Sequence, residues 1–453
     1  MPLFNEDTIA AFATAPSSGA VALLRVSGPK SSQAISCLTK KETFTPRQSV
    51  LVNIYDGSQT LDKALVVFFK GPKSYSGEDL FEISLHASPY IKSRILELLA
   101  ALGVRPAKAG EFTMRAFLNG KMDLAQAQGV ADIIASKNKT AHKAAMYTLD
   151  GKLSQKFKNI RQELGDLLAQ MEVRLDDTDE ELPPLNNAEV EPLLRKIRQE
   201  VDLLAASFST GKMVKEGIKT AIIGLPNSGK SSLLNALLGY DRAIVSPLSG
   251  TTRDTIEAQI SINDFNLLLT DTAGIREHSL DPAEVEGMRR SRQAVENADL
   301  VIFVKDAALA LEKAAAQTSQ ILLEEVSKTG KKIITVLNKA DLLDEKQKTQ
   351  AANGDILVSS KTGFGLDLLK DKITQTIGLG ALQEDDILIT SAVHYEALLK
   401  ASGELQDAIR VIDELELSAE HIRAALAALK DLIGETTPED ILDIVFSKFC
   451  VGK

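Results

Sequence analysis

The 453-residue sequence predicts a protein of α/β and α character: an N-terminal α+β domain, an all-helical central domain, and an α/β unit inserted into it. Three observations predict this. Short apolar runs punctuated by Pro and Gly fill residues 1–118. Segments with helical spacing occupy both 119–214 and 379–453. Between them, 215–378 alternates strand and helix. Helical stretches on both sides of an α/β unit read as one interrupted domain, because domain termini often lie close together. Four beads in a row is the alternative.

In 1–118, Ala20–Val26, Leu61–Phe69 and Leu80–Leu85 are expected strands, broken by Ser27-Gly28-Pro29, Gly71-Pro72 and Ser76-Gly77. Leu124–Ile134 and Leu149–Leu175 have helical spacing. The acidic run Asp176–Glu181 reads as a solvated linker, followed by Pro183-Pro184 and a helix over Glu191–Ser207 leading to Gly211. In 215–378, the apolar runs Ile218–Ile223, Phe265–Thr270, Leu300–Val304, Ile333–Leu337 and Ile356–Val358 predict a parallel sheet covered on both faces. Ala397–Leu415 and Ala419–Ile433 are amphipathic helices.

At 44% hydrophobic and 25% charged, the chain can bury real cores. Its two cysteines, Cys37 and Cys450, make no disulfide framework and lack metal-site spacing, which fits a reducing cytosol. A cytoplasmic location is therefore expected, with no membrane contact: no run of about 18 apolar residues is present. The start, MPLFNEDTIA, lacks a basic stretch followed by an apolar one, so no leader is expected. The net charge is −10, yet residues 1–120 carry 13 Lys and Arg against 10 Asp and Glu. Broad nucleic-acid binding usually needs a stronger basic bias, so any RNA contact is local or shared with a partner.

Gly224-Leu-Pro-Asn-Ser-Gly-Lys-Ser231 matches G-x-x-x-x-G-K-[ST] between an expected strand and helix. Asn227, Ser228, Gly229, Lys230, Ser231 and Ser232 would cradle phosphates, with Lys230 on the β/γ oxygens and Ser231 on Mg²⁺. Asp271-Thr272-Ala273-Gly274 follows a strand and suits the Mg²⁺ sphere and the γ-phosphate. Between them, Ser246, Pro247, Leu248, Ser249, Gly250, Thr251 and Thr252 occupy the place of a switch, with Thr252 as second Mg²⁺ ligand. Asn338-Lys339-Ala340-Asp341 offers a carboxylate to guanine N1–H and its 2-amino group, a donor pair adenine lacks. Ser359, Ser360 and Lys361 can back the base. Four motifs in this order, each at a strand end, predict a Ras-like P-loop GTPase domain and a GTP-hydrolysing enzyme.

Ras-like proteins orient the attacking water with a Gln after the DTAG-type motif; here that residue is Ile275. Glu277, Asp281, Glu284 and Glu286 are alternative water holders that chemistry alone does not separate. Transition-state charge has candidate sources in Arg253, Arg276, or a monovalent cation held by Asn227 and carbonyls of Ser246–Thr251. A cation placed like an arginine finger is worth about 10³–10⁵ in rate.

Asp7-Thr-Ile-Ala10, Arg25-Val-Ser-Gly28, Tyr75-Ser-Gly-Glu-Asp79, Gly110-Glu-Phe-Thr113, Arg115–Leu124, Thr437-Pro-Glu-Asp440 and the ending Phe449-Cys-Val-Gly-Lys453 together resemble the MnmE (TrmE) family of tRNA-modification GTPases, over almost the full chain. The resemblance implies a tetrahydrofolate-binding, dimerising N-terminal domain (1–118), a helical domain (119–214 and 379–453) ending in C-x-G-K, and an inserted G domain (215–378). It implies a homodimer working with a flavoprotein of the MnmG (GidA) type, which uses FAD and NADH. Together they place an aminomethyl or carboxymethylaminomethyl group on carbon 5 of a tRNA wobble uridine, with 5-formyltetrahydrofolate or a relative as one-carbon donor. Arg25, Glu82, Lys121 and Lys453 resemble the folate contacts, Cys450 the functional tail cysteine, and Asn227, Ser246, Leu248 and Thr251 the potassium site. Glu284, with Glu286 as fallback, becomes the candidate for positioning water, and Lys230, Glu284 and Cys450 form the catalytic set. The chain departs from the family pattern at Ala87 and Ser88 after His86, at Ala283, at Val393 and at Val451.

On residue type alone, a lone cysteine is usually a small buried hydrophobe and His86 a satisfied core histidine. A different class of function is a ribosome-assembly or RNA-binding GTPase switch of the Era/EngA type, which shares the nucleotide motifs. The modest charge of residues 1–120 and the want of a G-x-x-G with basic flanks weigh against it.

Overall fold

The computed structural model describes residues 7–176, 183, 185–240, 258–262, 264–271, 293–311, 313–351, 355–378, 386–432, 434, 446–447, 449 and 451–452. Two compact units divide the chain. One comprises Met1–Ile134, Met146–Asp202 and Glu396–Lys453; the other comprises Ala135–Ala145 and Leu203–Tyr395.

The first unit opens with β1 (Thr8–Phe12), β2 (Gly19–Ser27), α1 (Ser31–Thr39), β3 (Ser49–Asp56), β4 (Gln59–Phe69), β5 (Leu80–Ala87), α2 (Pro89–Ala101), β6 (Val104–Pro106) and α3 (Glu111–Leu118). Its sheet runs β3-β4-β5-β2-β1-β6, antiparallel except where β1 meets β6. Alternation along the strands separates two faces. Ala22, Leu24, Val26, Ile54, Val66 and Ile83 pack with Ile35 of α1 and Ile95 and Leu99 of α2. The opposite face carries Val21, Leu23, Arg25, Leu65, Glu82 and Ser84, paired across β4, β5 and β2.

An ion network ties the first strand to α3. Arg115, 3% exposed, contacts Asp7 at 2.7 Å, Glu78 at 3.0 Å and Glu111 at 3.1 Å, while Arg105 reaches Asp7 and Glu111 at 2.5 Å each. Burial pushes the Asp7 and Glu111 carboxyls up, but hydrogen bonds from Arg105 and Arg115 outweigh it and hold both below the ordinary value. Their contribution to stability is thus complete above the unfolded carboxylate range and is lost as pH falls through the depressed folded values.

Helices follow: α4 (Leu124–Ala135), α5 (Lys139–Leu149), α6 (Lys152–Leu175) and α7 (Asn187–Glu216). The helix expected over Leu149–Leu175 starts after a break, because Gly151 takes φ 79° and Gln126 Nε2 donates to the Leu149 carbonyl at 3.0 Å. The helix expected over Glu191–Ser207 runs on through Gly211, which ends nothing. A Cβ there would lie 2.1 Å from the Ile389 carbonyl oxygen, so close packing demands the glycine. Of the acidic run, all but Asp176 lies outside the described residues.

The second unit holds β7 (Ile218–Ile223), α8 (Lys230–Tyr240), β8 (Ala258–Ile262), β9 (Phe265–Asp271), β10 (Leu300–Asp306), α9 (Lys313–Ser327), β11 (Lys332–Asn338), α10 (Glu345–Ala351), β12 (Ile356–Leu357) and α11 (Leu366–Ile377). The strand order is β12-β11-β10-β7-β9-β8. Both faces are covered: Ile222, Leu267, Ile302 and Val336 face one layer, and Ala221, Ile223, Val301 and Phe303 the other. The all-parallel expectation fails at β8, which pairs antiparallel with β9. Just before β9, Asp264 takes φ 68°, a left-handed position that Asp tolerates.

The chain closes with α12 (Ala392–Arg410) and α13 (Leu415–Asp431). In the first unit α13 packs on α6, where Phe157, Ile160, Leu164 and Met171 form a buried stripe and Arg423 pairs with Glu172 at 2.9 Å. Phe446 and Phe449 then pack with Met114 and Leu124.

Candidate functional site

The phosphate loop joins β7 to α8. Gly224 has φ 156°, and a Cβ on it would sit 2.1 Å from the Val304 carbonyl oxygen; Gly229 has φ 90°, and its Cβ would sit 2.2 Å from Asn338 Nδ2. Side chains at either position would push the loop off its neighbours. Asn227 is also left-handed, at φ 61°, with an exposed side chain. Lys230 Nζ donates to the Gly224 and Leu225 carbonyls at 3.1 and 3.0 Å, so the ammonium lies within the loop. Ser231 and Ser232 are exposed in the first turn of α8. The Ser228 hydroxyl is buried without a hydrogen-bond partner among the described residues. Backbone amides at a helix start, a cation and an unused hydroxyl form a donor set that fits a phosphate chain.

The base-side motif sits at the end of β11. Asn338 is 1% exposed. Its Nδ2 donates to the Ser228 and Gly229 carbonyls at 3.3 and 3.2 Å, and its Oδ1 accepts from Ser360 N at 3.1 Å and Ser360 Oγ at 2.8 Å. One amide therefore joins the phosphate loop to the loop after β12. The same loop supplies Ser359 Oγ, which donates to Asp341 Oδ1 at 2.6 Å. That hydrogen bond, helped by Lys361 and Lys339, holds the exposed Asp341 carboxyl below the ordinary value. Ionised, it can accept from both guanine donors. Ala340 N donates to the Val358 carbonyl at 3.1 Å, and Lys339 Nζ pairs with Asp306 at 2.7 Å. Asp306 was not singled out from sequence; its place at the carboxyl end of β10 is the signal that could have found it.

Asp271 closes β9 opposite Ile222, near the start of the phosphate loop. Thr272, Ala273, Gly274, Glu284, Glu286 and the switch residues Ser246 to Thr252 lie outside the described residues. So do Cys450 and Lys453. Among the described residues no group of His, Cys, Asp and Glu could hold a metal by itself, and no helix is long and apolar enough to cross a membrane.

A second constellation lies in the first unit. Arg25 faces Glu82 across β2 and β5, with contacts of 2.9 Å from Nε and 2.8 Å from Nη2. Its guanidinium is 5.3 Å from the Tyr75 ring centre, and its Nη1 donates to the Gly452 carbonyl at 3.4 Å. The tail is held there by a bridge from Ala109 to Val451 and by Gly452, whose Cβ would fall 2.2 Å from the Phe12 carbonyl oxygen. Lys121 is exposed in the turn after α3. His86 is not a core residue: its side chain is 71% exposed, with Nδ1 2.7 Å from the buried Asp62. It follows a strand's outward alternation, which its residue type did not reveal.

The phosphate loop, the bridging Asn338 and the carboxylate of Asp341, set at the ends of parallel strands, define a P-loop enzyme that binds and hydrolyses GTP. Residues 8–121 match the family described as GTP-binding protein TrmE N-terminus, and residues 124–450 match the MnmE helical domain. The sequence is 38% identical to the tRNA modification GTPase MnmE of Christiangramia forsetii, covering 99% of each chain. It is 39% identical to the same-named protein of Endomicrobium trichonymphae and 36% identical to that of Clostridioides difficile, covering 100% of each chain in both cases. The chain belongs to the MnmE family.

Because Ser359 keeps Asp341 ionised to lower pH, Ser359→Ala should raise the Asp341 pKa toward the ordinary carboxylate range. GTP affinity measured against pH should then fall off at a higher pH in the variant than in the parent; coincident profiles would contradict this role.

Proposed function

We propose that GTP hydrolysis by this chain drives modification of carbon 5 of the wobble uridine in certain tRNAs, to an aminomethyl or carboxymethylaminomethyl group, together with an MnmG (GidA)-type flavoprotein that uses FAD and NADH. The observation that carries the reading is the tail docked beside Arg25 and Glu82, which gives the first unit a polar site of its own. Full-length similarity to relatives named tRNA modification GTPases supports it.

In this reading, 1–118 is the folate and dimerisation domain, 215–378 the G domain, and 119–214 with 379–453 the helical domain. Arg25, Glu82, Lys121 and Lys453 would hold 5-formyltetrahydrofolate or a relative. The paired guanidinium and carboxylate offer a donor and an acceptor side by side, which suits the amide edge of a pterin. When bound, that group would supply a one-carbon unit, and Cys450 would be the functional cysteine of the tail. The nucleotide site would take Mg²⁺ on Ser231 and Thr252, and K⁺ on Asn227, Ser246, Leu248 and Thr251, with Glu284 positioning water and Lys230 on the phosphates.

A homodimer is supported by apolar side chains exposed on the sheet face opposite α1 and α2. Val21, Leu51 and Leu65 are 61%, 67% and 47% exposed there, and Leu51 and Leu65 pair directly across β3 and β4. A second copy is a cover that suits exposed apolar strand residues. Location in the cytoplasm belongs to the same reading.

GTP turnover should be faster in KCl than in NaCl at equal ionic strength; equal rates would remove potassium from the scheme. Nucleoside analysis of a deletion strain should find the wobble uridine unmodified. Normal tRNA with immature ribosomal subunits would overturn the tRNA reading in favour of ribosome assembly.

A further inference from the structure

The chain is acidic overall, so a polyanion must approach it through a local region of opposite sign. Residues 30–73 supply one, carrying Lys30, Lys40, Lys41, Arg47, Lys63, Lys70 and Lys73 against Glu42, Asp56 and Asp62. Three of these basic residues line one cleft. A cleft of about 410 Å³ is lined by Arg47, Lys70 and Lys73 together with Pro46, Gly71 and Pro72, where the segment before β3 meets the end of β4.

The cleft is rigid. Arg47 N donates to the Phe68 carbonyl at 2.7 Å, and Arg47 Nη2 to the Lys73 carbonyl at 3.3 Å. Lys73 N donates to the Lys70 carbonyl at 3.0 Å. Asp79 anchors the turn through Gly71 N at 2.9 Å and Lys70 Nζ at 2.8 Å. A Cβ on Gly71 would lie 2.9 Å from the Gly77 carbonyl oxygen, so the turn is packed down on the chain beneath it. Asp79 pairs with Lys70, whereas Arg47 and Lys73 are exposed and have no acidic partner among the described residues. Arg47 and Lys73 offer two cations from a hydrogen-bonded backbone, and Arg adds a planar fork suited to phosphate oxygens.

We propose that this cleft binds the phosphate backbone of tRNA, with Arg47 and Lys73 as its phosphate contacts. The proposal rests on the tRNA reading above and names where that substrate touches the first unit. Phosphate contacts position a nucleic acid without reading its sequence, so the cleft should serve different tRNAs alike.

The test is binding of a labelled tRNA transcript by the full-length protein across a KCl series, for the parent and for Arg47→Asn with Lys73→Gln. Asn suits position 47, where φ is 61°. The slope of log affinity against log salt should flatten by about 1–2, with affinity down about tenfold at moderate salt. GTP turnover should be unchanged, and Lys73→Arg should bind like the parent. An unchanged slope in the double variant, from a parent that restores wobble modification in a deletion strain, would overturn the cleft and leave the tRNA reading standing. A parent that restores no modification would overturn the reading and the cleft with it.

Discussion

The side-chain amide of Asn338 is the contact on which the nucleotide site depends. It is buried, and its four hydrogen bonds join the phosphate loop to the loop after β12. An unsatisfied buried polar group costs about 1–3 kcal/mol, so neither loop can shift without leaving donors or acceptors unpaired. The loop held by Ser360 also carries Ser359, which sets the protonation of Asp341. The grip on phosphate and the reading of the base therefore answer to one residue. Gly229 belongs to the same constraint, since the amide approaches closer than any side chain at that position would permit.

The first unit solves a different problem. Its opening strand is short and Ala-rich, and the network of Asp7, Arg105, Glu111 and Arg115 fastens it to α3. Phe12 at the end of that strand is where Gly452 packs. A disturbance of the network would therefore be felt at the tail, and through the Gly452 carbonyl at Arg25. Breaking a buried ion pair by removing one partner typically costs about 3–5 kcal/mol.

Much of this was legible in the residues. Continuous apolar runs such as Leu300–Val304 and the four nucleotide motifs mark strands and strand ends, because buried parallel strands leave few other patterns open. The helical stretches were found, but their limits were not. Gly151 breaks a helix by taking φ 79°, whereas Gly211 stays helical and the Ile389 carbonyl packed against it leaves no room for a side chain. Strand β8 was missed because it buries only Ile260 and Ile262 and shows no continuous apolar run. His86 looked like a core residue by type, yet alternation turns it outward onto Asp62. In the site, Asn338 was legible as part of a motif. Its role as a brace was not, because its partners at Ser228, Gly229 and Ser360 converge only in the fold.

The most direct test of that brace is the dissociation rate of a fluorescent guanine nucleotide from Asn338→Ala. With the amide gone, the phosphate loop and the base loop lose their common anchor. GDP and GTP analogues should both leave at least about tenfold faster than from the parent, a loss of one or two hydrogen bonds. Unchanged release rates for both nucleotides would contradict the account.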